Sequence, residues 1–233
     1  MQKVVRKQLE LEKTEQEFFN TLLELNYANE RQRQTLVQKA QSIAQNIPHY
    51  NKWPHDPQQF WNAEALSWKQ RISPEVREAL QEELSFLQGK NLDLGAGSFS
   101  YVSNSVAVDF SEEMLRLNDA QEKIVADLEG ELPVEDESFD SVTMNFLANY
   151  IKNVPGLLSE AKRALKVGGT LAIVQSAYPV MDVHRMHYKN SYGEAELKIL
   201  LRKDWYHVRS YTKNVGGREL VFLVGEKGVD LLK

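Results

Sequence analysis

The segment Leu92 to Gly97, with the sequence LDLGAG, constrains the fold of this chain more than any other feature. An apolar run that closes in a glycine turn is typical of a buried strand whose end approaches a ligand. A second apolar run, Val106 to Asp109, ends on a carboxylate. In open α/β sheets, this pair of features forms a nucleoside site in which the acid accepts the ribose hydroxyls. The two segments therefore predict such a site.

The spacing around the turn argues against a dinucleotide. The dinucleotide fingerprint G-x-G-x-x-G opens a full helix whose N-terminus holds the pyrophosphate. Here Gly95 and Gly97 are followed by Ser98-Phe99-Ser100, without a third glycine. Only about a dozen residues separate the two strands, which is too few for a crossover with a long helix. Asp93 would repel a pyrophosphate but suits a cationic ligand.

Four motifs follow one another in the chain, and their order resembles that of the class I S-adenosylmethionine (SAM) dependent methyltransferases of the ubiquinone/menaquinone-biosynthesis type. The resemblance covers roughly residues 90–227 and departs from the family at Phe99 and in its short or missing first helix. Ordered motifs are far more specific than a lone glycine turn. The motifs are LDLGAG at 92–97, VAVDFSEEML at 106–115, VADLEGELPVEDESFDSV at 125–142 and LKVGGTLAIV at 165–174.

Apolar runs alternate with helical patterns from residue 90 onward, which predicts a parallel sheet flanked by helices. The turn signal Asn214 to Gly217 joins two β-rich runs and predicts a hairpin. The resemblance implies an α/β, Rossmann-like methyltransferase fold: a doubly wound, mostly parallel sheet of seven strands that ends in an antiparallel hairpin. We place strands near residues 90–94, 105–109, 123–126, 139–145 and 170–177, and the hairpin strands at 206–212 and 219–226.

Residues 1–89 predict an N-terminal helical cap, distinct from a SAM-binding domain at residues 90–233. Apolar residues recur at helical spacing before Pro48. Asp56-Pro57 and Ser73-Pro74 each put a capping side chain before a proline at the first helical position, which indicates two further helices. The resemblance implies that residues 50–71 cover the cofactor. The alternative is a self-association surface, and so a homodimer through these helices.

Composition narrows the partners. The 233 residues contain no cysteine and carry a net charge of −5, all of it in the motif-bearing part. This charge argues against a nucleic-acid partner and favours a small-molecule acceptor. No apolar run approaches the ~20 residues of a membrane span, and the polar start lacks the apolar centre of a signal peptide. We expect a soluble, cytoplasmic protein.

The parts of SAM can be matched to candidate residues. Asp93 attracts the ammonium of the methionine tail, while the turn of Gly95, Ala96 and Gly97 lets the backbone approach it. Asp109 accepts the ribose hydroxyls. The remaining candidates contact the adenine or the region of the sulfonium; for Asp127, Leu128 and Asn145 this follows from the resemblance. They are Phe110 and Met114 for the adenine faces, Asp127 and Leu128 for its edge, and Asn145 beside the sulfonium. Asp127 has an alternative role in capping the following loop.

Residues around the acceptor pocket are harder to assign, since each one has an alternative role in packing or at the surface. The candidates are Tyr50 and Trp53 in the helical cap, Asn149 and Tyr150 after the fourth strand, and Tyr178, His184, His187 and Tyr188 after the fifth. Two histidines three apart with one nearby acid make an incomplete ligand set, so we predict no metal. No catalytic residue is assigned.

The sequence thus predicts an enzyme that transfers a methyl group from SAM to a small molecule by direct in-line displacement, leaving S-adenosylhomocysteine. Alignment and exclusion of water can supply most of the acceleration of such a reaction. The alternative is a protein that keeps the fold but has a binding or regulatory role with little or no catalysis. A nicotinamide-dependent oxidoreductase is disfavoured by the spacing after the glycine turn and by the terminal hairpin.

Overall fold

The computed structural model of the chain describes residues 2–177, 181–215 and 217–228. The chain forms two compact units, residues 1–71 and residues 72–233. The sequence placed a boundary after Gly89, whereas the units divide between Arg71 and Ile72. The reason is the helix from Pro74 to Glu83, whose apolar side packs in a core with strands of the sheet.

The first unit contains three helices, α1 (Gln2–Tyr27), α2 (Glu30–Ala44) and α3 (Pro57–Arg71). Asn29 caps α2, and its side chain and that of Gln32 form a reciprocal capping box. The Asp56 carboxylate accepts the Gln59 backbone N–H at 2.9 Å just before α3 begins. The helix start predicted from Asp56-Pro57 is confirmed, because this carboxylate satisfies an amide that the first turn leaves open.

Aromatic rings and a buried ion pair help to hold the first unit together. The ring centroid of Phe18 lies 5.3 Å from that of Tyr50 and 5.5 Å from that of Trp53. Arg71 Nη2 lies 2.8 Å from Glu64 Oε2, and the Glu64 side chain is fully buried. A buried carboxylate of this kind needs its partner, because removing one member strands a charge.

The second unit begins with α4 (Pro74–Glu83), whose first turn is capped by Ser73 as predicted from Ser73-Pro74. Strands and helices then alternate along the chain. They are β1 (Asn91–Leu94), β2 (Ser105–Asp109), α5 (Glu112–Leu117), β3 (Glu122–Val125), β4 (Phe139–Asn145), a short 3₁₀ helix (Ala148–Tyr150), α6 (Val154–Ala164), β5 (Leu165–Ser176), α7 (Asp182–Arg185), α8 (Glu194–Asp204), β6 (Tyr206–Val215) and β7 (Arg218–Glu226).

The seven strands form one sheet in the order β3-β2-β1-β4-β5-β7-β6. The first five are parallel, while β7 runs antiparallel to both β5 and β6. The predicted mostly parallel sheet with a terminal hairpin is confirmed. Two bounds differ by three residues or more. β5 begins at Leu165 rather than near residue 170, because Leu165 already pairs with Phe139 before a register shift in β4. β6 continues to Val215 rather than ending at residue 212, because its pairing with β7 extends to Arg218.

Two cores cover the two faces of the sheet. On one face, α6 and α8 share a core with the strands of the sheet, and this core includes Leu157 and Leu197 of the helices and Leu92 and Met144 of the strands. On the other face, α4 packs on β5 and β7. Alternate residues of one strand serve different faces, so the doubly wound layering follows from the strand period of two.

The connection from β1 to β2, residues 95–104, contains turns and no helix. This confirms the expected short or missing first helix. Tyr101 and Val102 of this connection are buried in the same core as α4. Apolar side chains of the loop therefore fill space on this face of the sheet.

No helix within the described residues combines the length and the apolar character needed to cross a bilayer.

Candidate functional site

The ends of β1, β2 and β4 lie side by side at one edge of the sheet, since β1 pairs in parallel with both other strands. The order reverses here, because the chain proceeds from β1 through β2 to β3 on one side and returns to β4 on the other. Ligands of open α/β sheets bind at such a switch point. The structure brings Gly95 to Gly97, Asp109 and Asn145 to this edge.

Asp93 is a buried carboxylate in β1, and its two oxygens differ in their hydrogen bonding. Its Oδ1 accepts the Thr143 hydroxyl at 2.8 Å and the Asn145 amide at 3.3 Å. Its Oδ2 is buried and has no hydrogen bond from the part of the chain that the structure describes. A buried oxygen without a donor is costly, so this atom favours a ligand that supplies one.

The electrostatics of this edge favour a cation. Burial raises the pKa of the Asp93 carboxyl to about 6, and the Asp109 carboxylate adds to the rise. Hydroxyls of Ser100 and Thr143 and the amide of Asn145 oppose it. Two neighbouring buried carboxylates stabilise a positive ligand group, since opposite charges attract strongly where water is excluded.

Asp109 ends β2 and holds two backbone amides. Its Oδ2 accepts the N–H of Gly97 and its Oδ1 accepts the N–H of Ser111, each at 2.9 Å. Burial raises the pKa of this carboxyl, while the backbone N–H groups of Ser111, Gly97 and Phe110 lower it. Each carboxylate oxygen has two lone pairs, so each can accept one further hydrogen bond from a ligand.

The turn itself requires glycine. Gly95 and Gly97 have φ of 65° and 57°, in the left-handed region that favours residues without a Cβ. A Cβ on Gly95 would lie 2.6 Å from Cδ1 of Leu147. Ala96 between them is buried and donates its N–H to the Val108 carbonyl at 3.0 Å. The turn is thereby fixed against both β2 and the loop after β4.

Ser98 was missed by the sequence reasoning. Its side chain is fully buried, and Oγ has no hydrogen-bond partner among the residues that the structure describes. The Oδ1 atom of Asn145 is likewise buried and has no hydrogen-bond partner among the described residues. The sequence feature that could have identified Ser98 is its position directly after the last glycine of the turn. A polar side chain at that position can face the same ligand as the backbone.

The residues predicted for the adenine follow the ends of β2 and β3. Met114 is buried in α5, just after the half-buried Phe110. Leu128 is buried, whereas Asp127 is exposed and accepts the Glu129 N–H at 3.0 Å. Asp127 thus makes the loop-capping contact that was the alternative to its role at the adenine. One cap leaves further lone pairs on the carboxylate for a ligand.

Asn149 is a structural clamp between two loops. Its Oδ1 accepts the Gln175 amide at 3.2 Å, and its Nδ2 donates to the Tyr192 carbonyl at 3.0 Å. Its own carbonyl accepts the Lys189 N–H at 2.8 Å. These bonds join the segment after β4 to the segment that precedes α8. With its amide engaged in this way, Asn149 fixes the position of these segments relative to one another, and its role in acceptor contact stays a prediction.

The clamp brings two of the predicted acceptor residues together. The rings of Tyr150 and Tyr188 meet edge to face with centroids 4.9 Å apart. Burial raises the pKa of Tyr188, and the Tyr150 side chain opposes the rise through a hydrogen bond. His184 and His187 are buried near α7. Tyr178, the remaining candidate after β5, lies outside the described residues.

No group of three or more metal-ligating side chains occurs within the described part of the chain.

The aromatic candidates of the first unit are packed inside it. Trp53 is buried and its ring stacks at 6.4 Å on that of Phe60, while Tyr50 is buried against Phe18 and Phe19. A role for Tyr50 and Trp53 in acceptor contact stays a prediction.

Comparisons with known proteins converge on one class. Residues 83–173 match the methyltransferase domain family. A demethylmenaquinone methyltransferase from Staphylococcus saprophyticus is 28% identical over 130 residues, which are 48% of this chain and 56% of that protein. The chain spans less than two thirds of the length of the curated relatives that it matches first, 59% and 56%.

Two solved structures share the fold. A SAM-dependent methyltransferase from Thermotoga maritima superposes with a TM-score of 0.57 and 19% identity, covering 72% of this chain and 98% of that one. Phosphoethanolamine N-methyltransferase 2 from Haemonchus contortus, in complex with SAM, gives a TM-score of 0.56 and 15% identity, covering 75% of this chain and 59% of that one.

Proposed function

We propose that this chain, whose residues 83–173 match the methyltransferase domain family, is a class I SAM-dependent methyltransferase that binds SAM and transfers its methyl group to a small-molecule acceptor. The observation that carries the proposal is the buried Oδ2 of Asp93, which lacks a hydrogen-bond donor within the described residues. SAM supplies an ammonium for this atom. Its sulfonium is a second positive charge, suited to the pair of carboxylates at the same edge.

The other candidate residues fit the nucleoside. Asp109 keeps lone pairs for the ribose hydroxyls after binding two backbone amides. Phe110 and Met114 follow it and offer apolar surface for the adenine faces. Asp127 and the Leu128 amide address the adenine edge, where a carboxylate accepts from an amino group. For Asp127 and Leu128 this role is the one that the resemblance to the family implies.

The chain's own residues act by binding, orientation and exclusion of water. The bound cofactor supplies an electrophilic methyl group and a neutral leaving group. Asn145, held by Asp93 at the end of β4, borders the region through which an acceptor approaches in line. We infer that the paired rings of Tyr150 and Tyr188 form an aromatic wall of the acceptor pocket. A general base is needed only when the acceptor must lose a proton before it attacks.

Calorimetry with SAM, S-adenosylhomocysteine and NAD tests cofactor binding. We expect micromolar-order affinity for both adenosyl compounds, roughly −8 kcal/mol, and none for NAD. Asp93→Ala should abolish most of this affinity, whereas Glu131→Gln, a change at an exposed acid of the same unit, should not alter it. Heat from NAD alone would contradict the assignment.

The alternative function, a binding or regulatory role with little or no catalysis, remains a hypothesis because the helix after the glycine turn is missing. Tritiated methyl transfer from SAM into metabolite pools separates the two. Label in a small molecule supports the enzyme, while cofactor binding without transfer to any pool supports the alternative. A cytoplasmic location and a homodimer through the N-terminal helices stay predictions from the sequence.

A further inference from the structure

A groove with a volume of about 710 Å³ lies between α6 and α8 at the surface of the second unit. The residues of α6 that line it recur every three or four positions, so they share one face of that helix. The last turn of α8 forms the opposite wall. The lining includes Pro155, Leu158, Ser159 and Lys162 of α6 and Leu200 and Lys203 of α8.

The groove lies at the edge of the sheet where β4 and β5 begin. Glu137, two residues before β4, and Lys227, directly after β7, line one end of it. A strand rises by about 3.3 Å per residue, so about 20 Å separate the start of β4 from Asn145 at its other end. A small molecule in the groove is therefore remote from the edge that we propose for SAM.

Apolar side chains form the floor of the groove. Leu158 and Trp205 are buried, and Leu200 is half-buried beside them. All three belong to the core that α6 and α8 share with the sheet or pack against it. An apolar group placed on this floor is removed from water, which favours its binding. The volume also falls within the range of small-molecule sites, roughly 300 to 1,000 Å³.

Two of the four basic side chains in the lining are already engaged. Arg163 pairs with Asp136 at 2.6 Å and with Glu160 at 2.8 Å, and it donates to two backbone carbonyls as well. Lys227 Nζ lies 3.1 Å from Glu137 Oε1 and also donates to a backbone carbonyl. The charges of these two cations are thereby neutralised within the wall of the groove.

The other two basic side chains, Lys162 of α6 and Lys203 of α8, differ from these. Neither has an ion pair or a hydrogen bond within the part of the chain that the structure describes. Asp204 is a lining acid that likewise has no such contact there. Two positive groups and one negative group therefore remain, an excess of positive charge in a protein whose net charge is −5. An anionic group in the groove is attracted from both helices.

We propose that this groove binds a small amphiphilic anion, a molecule with an apolar ring or chain and one acidic group. The apolar part lies on Leu158, Leu200 and Trp205, and the acidic group lies between Lys162 and Lys203. The site is separate from the one proposed for SAM and does not depend on it.

Two fluorescent probes with the same apolar body test the proposal. 8-Anilinonaphthalene-1-sulfonate carries one sulfonate, whereas N-phenyl-1-naphthylamine has the same rings without a charge. We expect the double variant Lys162→Gln/Lys203→Gln to weaken the sulfonate probe about three- to tenfold, because two charge contacts are lost. The neutral probe should bind this variant as it binds the wild type, which shows that the groove is intact. Lys152→Gln is the matched control, since Lys152 is exposed just before α6 and does not line the groove.

Isotope-labelled tryptophan locates the probe. The chain has four tryptophans, and Trp205 alone lies in the second unit. Its indole N–H signal should shift when the sulfonate probe is added, and excess S-adenosylhomocysteine should not displace the probe. Ser159→Trp, which fills the groove from α6, should prevent binding of both probes. An unmoved Trp205 signal, displacement by S-adenosylhomocysteine, or equal effects of the lysine double variant on the two probes would overturn the proposal.

Discussion

The Asp109 carboxylate accepts the backbone N–H of Gly97 at 2.9 Å, and this bond joins the end of β2 to the glycine turn after β1. The other carboxylate oxygen holds the Ser111 N–H just before α5. One side chain thus orders the loops on both sides of the position that we propose for the nucleoside. In a connection without a helix, such a bond replaces part of the order that a helical turn would impose.

The first prediction concerns Asp109→Ala. It should lower cofactor binding by about 1.5 to 3 kcal/mol, because bonds to a charged acceptor are the stronger kind. It should also reduce the free energy of unfolding by about 1 to 3 kcal/mol, because two buried amides lose their acceptor. Asp109→Asn, which keeps one oxygen, should unfold between the two. Denaturant unfolding and calorimetry provide the measurements, and an Asp109→Ala variant as stable as wild type would contradict the structural role.

Gly95→Ala should destabilise the second unit and abolish cofactor binding. The expected loss is about 1 to 3 kcal/mol, from a left-handed φ combined with a contact of 2.6 Å to Leu147. A second change, Leu147→Ala, should relieve the contact but not the φ. The control is Gly130→Ala, where an added Cβ meets nothing within 4 Å. Thermal unfolding of the three variants decides the matter, and equal midpoints for Gly95→Ala and Gly130→Ala would refute it.

The buried charge of Asp93 should cost stability in the ligand-free protein. Its pKa is raised from 3.8 to about 6, so its stabilising contribution is present below pH 3.8 and is lost as the pH rises through 6. The full loss is about 3 kcal/mol. We therefore expect the thermal midpoint of Asp93→Asn to increase relative to that of the wild type as the pH rises from 4 to 7. A constant difference across this range would show that burial does not penalise the carboxylate.

Binding of S-adenosylhomocysteine should weaken as the pH falls through about 6. Protonation of Asp93 removes the partner of the ammonium, and below its pKa of about 6 the affinity can fall by up to tenfold for each pH unit. Asp93→Asn should bind weakly and lose this dependence on pH. Calorimetry between pH 5 and 8 measures both. A wild-type profile as flat as that of Asp93→Asn would remove Asp93 from the tail contact.

The helical segment from Tyr50 to Arg71 is predicted to cover the cofactor and form a wall of the acceptor pocket. S-adenosylhomocysteine should then slow hydrogen exchange in residues 50–71 as well as around Gly95 to Gly97 and Asp127. A closing wall excludes water and aligns the acceptor, so its protection depends on the ligand. If protection is confined to the glycine turn and the adenine side, these helices are an assembly surface instead.

The sequence by itself determined the strands, the glycine turn, the acid after β2 and the terminal hairpin. These features depend on residues close together in the chain: alternation and apolar runs for strands, glycine where φ is positive, and proline after a capping residue for helix starts. Asp93, Asp109 and Asn145 could be placed at one edge because parallel strands end together. The missing helix was readable from the spacing alone.

Only the tertiary structure decided which groups these residues meet. The contact of Asp109 with Gly97, the clamp at Asn149 and the guanidinium of Arg77 over Phe99 join segments that no local pattern relates. The same is true of α4, which belongs with the sheet because its apolar side packs against β5 and β7, far along the chain. Local propensity depends on residues that are neighbours in sequence, whereas burial and long-range hydrogen bonding depend on residues that are neighbours in space. Only the folded chain brings the spatial neighbours together.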